Sequence, residues 1–217
     1  MSRPVPLPDP LPIFPLTGVI LLPGNLLPLH VFEPRYRNMV EDALEEGRHI
    51  GMIQPRQPRD DDRGPPPERE RDHPVLYDVG GAGRLVRCQA TDEGNYAIIL
   101  QGVTRFRIQE ELPLRRGYRR VHADSEEFPW DGTGGSEGID GRALLEAIAT
   151  QEIDVGIELD DPDLDEVSGT ALLNSLCAAL PLHPAEKQAL LEAPNAPARH
   201  QLLLSLLEMG LAEQEEN

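Results

Sequence analysis

Between residues 13 and 32 the apolar positions come in short runs, at 13–16, 19–22 and 26–32, broken by Thr17-Gly18 and by Pro23-Gly24-Asn25. Prolines at 15, 23 and 28 suit edges, turns and bulges rather than a central ladder. A helix follows. Pro34 fits its first position, and Tyr36, Met39, Val40, Ala43 and Leu44 recur at helical spacing before Gly47 stops it. The period then drops to two, predicting strands over 50–53, 75–79, 84–90, 96–101, 104–109 and 118–123. In the fifth of these, Phe106 and Ile108 share one face and Arg105, Arg107 and Gln109 the other, as in a half-buried strand.

Past residue 123 the pattern becomes helical, over 139–153, 164–180, 184–191 and 197–209. Asp140 and Asp163 stand as caps, and Pro181, Pro184 and Pro194 mark the breaks. Two stretches carry no period. Residues 54–73 form a polar insert with five arginines and six acids, which reads as a solvated loop. Residues 124–138, DSEEFPWDGTGGSEG, read as a linker. Strands followed by helices is an α+β order. It divides the chain into a β-rich subdomain over 9–123, an acidic Gly-rich linker over 124–138 and a helical subdomain over 139–213. Proteolysis is expected first at 54–73 or 124–138, and the two parts are expected to differ in stability.

Charge sharpens this division. The 217 residues carry 20 basic and 38 acidic side chains, a net charge of −18. Residues 1–123 hold 17 of each sign, so the whole excess falls in the remainder, with 3 basic and 21 acidic residues. An acidic chain is a poor counterion for phosphates, which argues against nucleic acid and against anionic membrane surfaces. No apolar run reaches the roughly 18 residues of a membrane span. The proline-rich opening MSRPVPLPDPLP lacks the apolar core of a secretory signal. The expectation is a cytoplasmic, bacterial-type protein.

Motifs for chemistry are weak. Gly134, Ser136 and Gly138 match G-x-S-x-G, but no apolar strand precedes them to build a nucleophile elbow. Asp161, Asp163 and Asp165 imitate an EF-hand, yet Glu166 replaces the turn glycine and Leu172 the bidentate acid. The only lysine, Lys187, follows Pro184 in a short helix that reads as exposed, which gives a Ser–Lys dyad no desolvated pocket. A Walker A sequence is lacking. Gly80-Gly81 and Gly83 read as a turn between two strands. Cys88 and Cys177 show no ligand spacing, nor do the six histidines, so neither metal nor cofactor is expected.

Several blocks do resemble a known family. LPIFPLTGVILLPGNLLPLHVFEPRYRNMVEDALEEG at 11–47 is similar to the opening of the Lon protease N-terminal, or substrate-binding, domain, above all in its stand-alone bacterial versions. IGMI at 50–53, LYDVGGAGRLV at 76–86, YAIILQGVTRFRI at 96–108 and LCAALPLHPAEKQALLE at 176–192 agree in order. The resemblance spans about residues 9–210. It implies a PUA-like pseudo-β-barrel followed by a C-terminal helical bundle. In full-length Lon this region engages unfolded or tagged substrates, and the ATPase and peptidase modules lie beyond it. These 217 residues end before either could begin, so the resemblance implies a binding module and not a protease.

The leading expectation is therefore a non-catalytic polypeptide-binding module, an adaptor or chaperone-like holder of unfolded or partly folded chains. The candidate surface is LPLHVFEPRYR at 27–37, with His30, Phe32, Arg35 and Tyr36 as binding residues. Two rivals stand beside it: a small hydrolase using Ser136 or an acid pair, and a PUA-like RNA binder using Arg115, Arg116, Arg119 and Arg120. The leucine-rich stretch 202–209 spreads apolar groups widely around its helix. It is either the centre of its own bundle or a surface for a homo-oligomer.

Overall fold

A computed structural model describes residues 5–56, 73–91, 94–129, 131, 139–149 and 167–215. Six strands form one sheet: β1 (Leu11–Pro15), β2 (Leu26–Val31), β3 (His49–Ile53), β4 (Val79–Ala90), β5 (Tyr96–Arg115) and β6 (Tyr118–Asp124). Helix α1 (Pro34–Glu45) lies between β2 and β3. Among the described residues, four helices follow the strands: α2 (Gly141–Ala149), α3 (Gly169–Ala179), α4 (Pro184–Glu192) and α5 (Ala196–Glu215). The order β2-β5-β4-β3-β1-β6 closes through a second pairing of β5 with β6, which makes a pseudo-barrel. Among these strands, only β1 and β3 pair in parallel. The fold is thus α+β, as expected.

Closure depends on the length of β5. The sequence reading gives two strands here, 96–101 and 104–109, and the structure runs them into one strand of 20 residues. Its first half pairs with β2, its second half with β6, and β4 covers much of the opposite edge. Its hairpin to β6 is a two-residue turn in which Arg116 and Gly117 both have positive φ, 48° and 91°. That is the turn whose twist matches an antiparallel ladder.

The expected turn at Gly80-Gly81 and Gly83 is also corrected, because β4 passes through all three. They are needed for space rather than bending. The buried segment 20–22 crosses the sheet so closely that a β-carbon on Gly81 would overlap the Leu21 carbonyl, and one on Gly102 the Leu22 carbonyl. A methyl on Gly80 would strike the Phe106 ring and the Met52 carbonyl. The run at 19–22 forms no strand and acts as a buried plug. Leu21 points into the core under α1, while Ile20 and Leu22 point into the core of the later helices.

Helix α1 begins and ends as its pattern predicts. Pro34 stands in the first turn, and Tyr36, Met39, Val40 and Ala43 are buried against Phe14, Leu85 and Ile98. Gly47, at φ 104°, ends it, with Arg48 N–H bonded back to Ala43 O at 2.7 Å.

The boundary near 123 marks a change of secondary structure, but the core runs across it. Ile20, Leu22, Val79 and Phe128 belong to the same apolar cluster as Leu144, Leu173, Leu190 and Leu203 of the helices. Arg105 is corrected in the same place. It does face away from the barrel interior, yet it is only 1% exposed, because the helical part covers that face. Within the supposed linker, Phe128 and Asp131 are part of this packing. Residues 132–138, which include Ser136, lie outside the described residues. So do most of the insert (57–72), the end of the 139–153 helix and the Asp161–Asp163–Asp165 run.

Polar seams bind the two parts further. Gln54 Nε2 donates to Pro184 O and to Gln188 Oε1, and Gln188 Nε2 donates to Val79 O. Asn174 Nδ2 donates to Pro23 O, and Asn25 Nδ2 to Asn174 O. Lys187, read as exposed, is buried with Nζ donating to Ala178 O. Leu203 and Leu207 of α5 are buried, and Leu202, Leu204 and Leu206 pack against the same cluster, which leaves Met209 as the exposed large apolar group among the side chains described on this helix.

Candidate functional site

The four residues singled out from the sequence meet on one groove. β2 ends at Val31, and the chain turns through Phe32 and Glu33 into α1. This short connection sets His30 and Phe32 beside Arg35 and Tyr36. The groove has room for about 380 Å³. Tyr36 is buried at its base and stacks on Phe14, with centroids 4.2 Å apart and planes at 28°. The Arg35 guanidinium lies 4.8 Å from the same ring, while its Nε donates to Glu33 Oε2 at 2.9 Å. At the mouth, Phe32 is 63% exposed and meets His30 edge to face at 6.4 Å.

The other wall comes from Arg119, which the sequence reading gave to an RNA patch, and from residues it did not single out. Arg119 of β6 donates through Nε and a terminal nitrogen to Glu111, and through its other terminal nitrogen to Pro74 O at 2.8 Å. This holds the 73–74 segment beside β6, where His73, Pro74 and Pro55 line the groove. Gly117, at the hairpin tip, lies so close to α1 that a β-carbon there would come within 3.3 Å of Arg35 Cβ. The Arg-Gly pair between two strands was the available signal for this hairpin. Nothing local announced that its tip would reach α1.

The remaining arginines of the proposed RNA patch point elsewhere. Arg116 bonds to Asp42 at 2.6 Å and to Glu41 at 2.8 Å, and Arg115 grips Glu46 through two bonds of 2.9 and 2.8 Å. Arg120 donates to Pro113 O. Arg115 and Arg116 clamp the β5–β6 hairpin to the acids of α1 and its C-cap, and Arg120 bonds within the hairpin. Asp42, buried beneath them, also accepts from the Tyr118 hydroxyl at 2.8 Å. Burial alone would raise its carboxyl, but the bonds from Tyr118 and Arg116 and the nearby guanidinium charges bring it below the usual carboxylate range. Burial first, then the bond to Asp42, raises Tyr118, so it stays a neutral donor.

The groove can hold aromatic and aliphatic side chains against Phe14, Phe32 and Tyr36, with Arg35 and His30 at its rim. Burial raises the Tyr36 hydroxyl, against the pull of Arg35, so the base of the groove is an uncharged phenol at neutral pH. Among the described residues no three His, Cys, Asp or Glu side chains are grouped to hold a metal ion. Burial pushes the Cys177 thiol up to about 12, an unreactive state.

Comparisons with known proteins bear on the family and the fold. Residues 10–209 match the family described as the ATP-dependent protease La (LON) substrate-binding domain. Lon protease 2 of Myxococcus xanthus is 30% identical over 208 residues, covering 93% of this chain and 24% of that protein. Lon protease 2 of Sorangium cellulosum is 31% identical, with coverages of 95% and 25%. The chain thus spans about a quarter of the length of these curated relatives. Among solved structures, the Lon N-terminal domain protein from Xanthomonas campestris aligns with a TM-score of 0.62 at 22% identity, covering 90% of this chain and 97% of that one. The N-terminal domain of Mycobacterium avium complex Lon protease also gives 0.62, at 18% identity, with coverages of 92% and 98%. At those identities the structures establish the fold.

Proposed function

This chain belongs to the family of Lon substrate-binding domains, and on that premise we propose that it is a non-catalytic module that holds unfolded or partly folded polypeptide as an adaptor or chaperone-like factor in protein quality control. The observation that carries this reading is the groove of His30, Phe32, Arg35 and Tyr36 beside an open strand. Its aromatic base, Tyr36 stacked on Phe14, is buried, and Phe32 stands 63% exposed at the mouth. A folded client has buried its large apolar side chains, and an unfolded one offers them. Aromatic pockets with a polar rim gain affinity from such side chains at low entropic cost.

No helix among the described residues is long and apolar enough to cross a membrane, and the setting we propose is the cytoplasm. Self-association through α5 belongs to the same proposal, with Met209 as its exposed apolar group.

The test is fluorescence anisotropy with reduced, carboxymethylated lactalbumin against the native protein. Binding of the unfolded form only, weakened by Phe32→Ala, supports the reading. Equal binding of both forms, or casein cleavage abolished by a single substitution, overturns it.

A further inference from the structure

A second surface lies on the outer side of β2, β5 and β4. Leu100 pairs with Leu85, and Ile98 pairs with Cys88, all turned toward the core under α1. Alternation therefore sends Leu26, Pro28 and His30 of β2 outward, beside Gln101, Ile99 and Ala97 of β5. On β4, Arg84 stands opposite Gln101 and Arg87 opposite Ile99, and the register shift between Leu85 and Arg87 leaves Val86 as an extra, exposed residue. Leu26 is 62% exposed and Val86 45%.

The outward positions of these three paired segments include neither Asp nor Glu. Elsewhere on the barrel, several arginines are matched with acids: Arg56 with Asp78, Arg107 with Glu127, Arg119 with Glu111. Arg84 and Arg87 are exposed and have no ion-pair partner among the described residues.

The edge of β2 decides how a partner could lie here. Gly102 N–H bonds to Asn25 O, so the register gives Leu27, Leu29 and Val31 the bonds to β5 and turns the main chain of Leu26, Pro28 and His30 to the open side. Pro28 has no N–H to offer, which interrupts the ladder a further strand would need. The broad face, not the edge, is the better platform.

We propose that this face docks an extended polypeptide segment in which apolar side chains alternate with carboxylates. The apolar groups rest on Leu26, Val86 and Ile99, and Arg84 and Arg87 take the carboxylates. The proposal rests on the polypeptide-binding reading and names the chemistry of the client. Charge complementarity selects it. The whole excess of −18 falls in residues 124–217, so an acidic segment is repelled there, while this face of the neutral barrel carries cations without acids. Guanidinium groups bind carboxylates through paired hydrogen bonds. A polynucleotide would meet the same cations, but the exposed leucine and valine beside them offer phosphates nothing, and the overall charge opposes a polyanion.

The experiment titrates the full chain into three labelled probes: a short Val-Glu alternating peptide, its Val-Gln counterpart, and a single-stranded RNA of equal length. The expected result is Val-Glu binding at least about tenfold tighter than Val-Gln. An Arg84→Ser/Arg87→Ser double variant should lose that preference, with an unchanged melting temperature. Equal binding of the two peptides, a double variant that keeps the preference, or tighter binding of the RNA overturns the proposal. Carboxymethylated lactalbumin serves as a parallel probe. If it binds through Phe32 while the acidic preference is absent, this inference falls and the groove reading stands. If no polypeptide binds, both fall.

Discussion

Arg105 on β5 and Asp131 beyond β6 meet through two bonds of 2.9 Å, with side chains 1% and 6% exposed. The remaining guanidinium nitrogen donates to Leu191 O and Ala193 O at the end of α4, and Phe128 lies under the charge at 4.3 Å. One arginine thus joins the barrel, the supposed linker and the helical bundle. Removing one member of a buried pair strands the other, at about 3–5 kcal/mol. Asp131→Ala is expected to destabilise by that amount in urea unfolding, and Arg105→Met/Asp131→Leu by less than the two single changes combined. Strand and helix signals should fall together in each case, because the core is shared. This departs from the separable stability expected of the sequence. A variant that melted the helices alone would refute it.

Gly81→Ala tests the plug. The added methyl would meet the Leu21 main chain, which is held on both sides and cannot turn away as a side-chain tip could. The expected loss is about 3 kcal/mol or more, beyond the ordinary range for overpacking. Gly24→Ala is the control, since its site is open and only its positive φ of 86° is strained. It should cost about 1 kcal/mol. Thermal unfolding measures both.

Asp42 gives the chain an acid-labile clamp. Its folded pKa lies below the unfolded value, so the stabilisation is complete above the unfolded pKa of about 3.9 and fades as pH falls through the lower, folded one. Asp42→Asn should be less stable than the wild type at pH 7. The two should converge as the pH drops toward 2, which stability curves across pH would show.

On α5, Leu203 is fully buried and Met209 is 54% exposed. Leu203→Ala is expected to cost about 2–5 kcal/mol through the cavity it leaves. Met209→Ala should change stability by less than about 0.5 kcal/mol. If α5 joins two copies, Met209→Asp lowers the sedimentation coefficient at high protein concentration. An unchanged coefficient in a sample that is already monomeric removes that part of the proposal.

Local chemistry wrote much of this fold into the sequence. Tyr36, Met39, Val40 and Ala43 needed only their helical spacing, and Pro34 and Gly47 their backbone preferences, to place α1. His30, Phe32, Arg35 and Tyr36 lie within seven residues across a strand-to-helix turn, so their neighbourhood was legible before any tertiary contact was known. The tertiary structure decided what no short window holds. The period-two pattern set Arg105 opposite Phe106, but only the arrival of Asp131 and α4 made that opposite face an interior. Gly81 read as a turn because glycine permits one. It stands in a strand because Leu21, distant in sequence, needs the space of its missing side chain. The far wall of the groove, Arg119 holding Pro74, likewise joins residues 45 positions apart. Periodicity and turn chemistry act through neighbours along the chain. Closure of a barrel and burial of a charge depend on which distant surfaces meet.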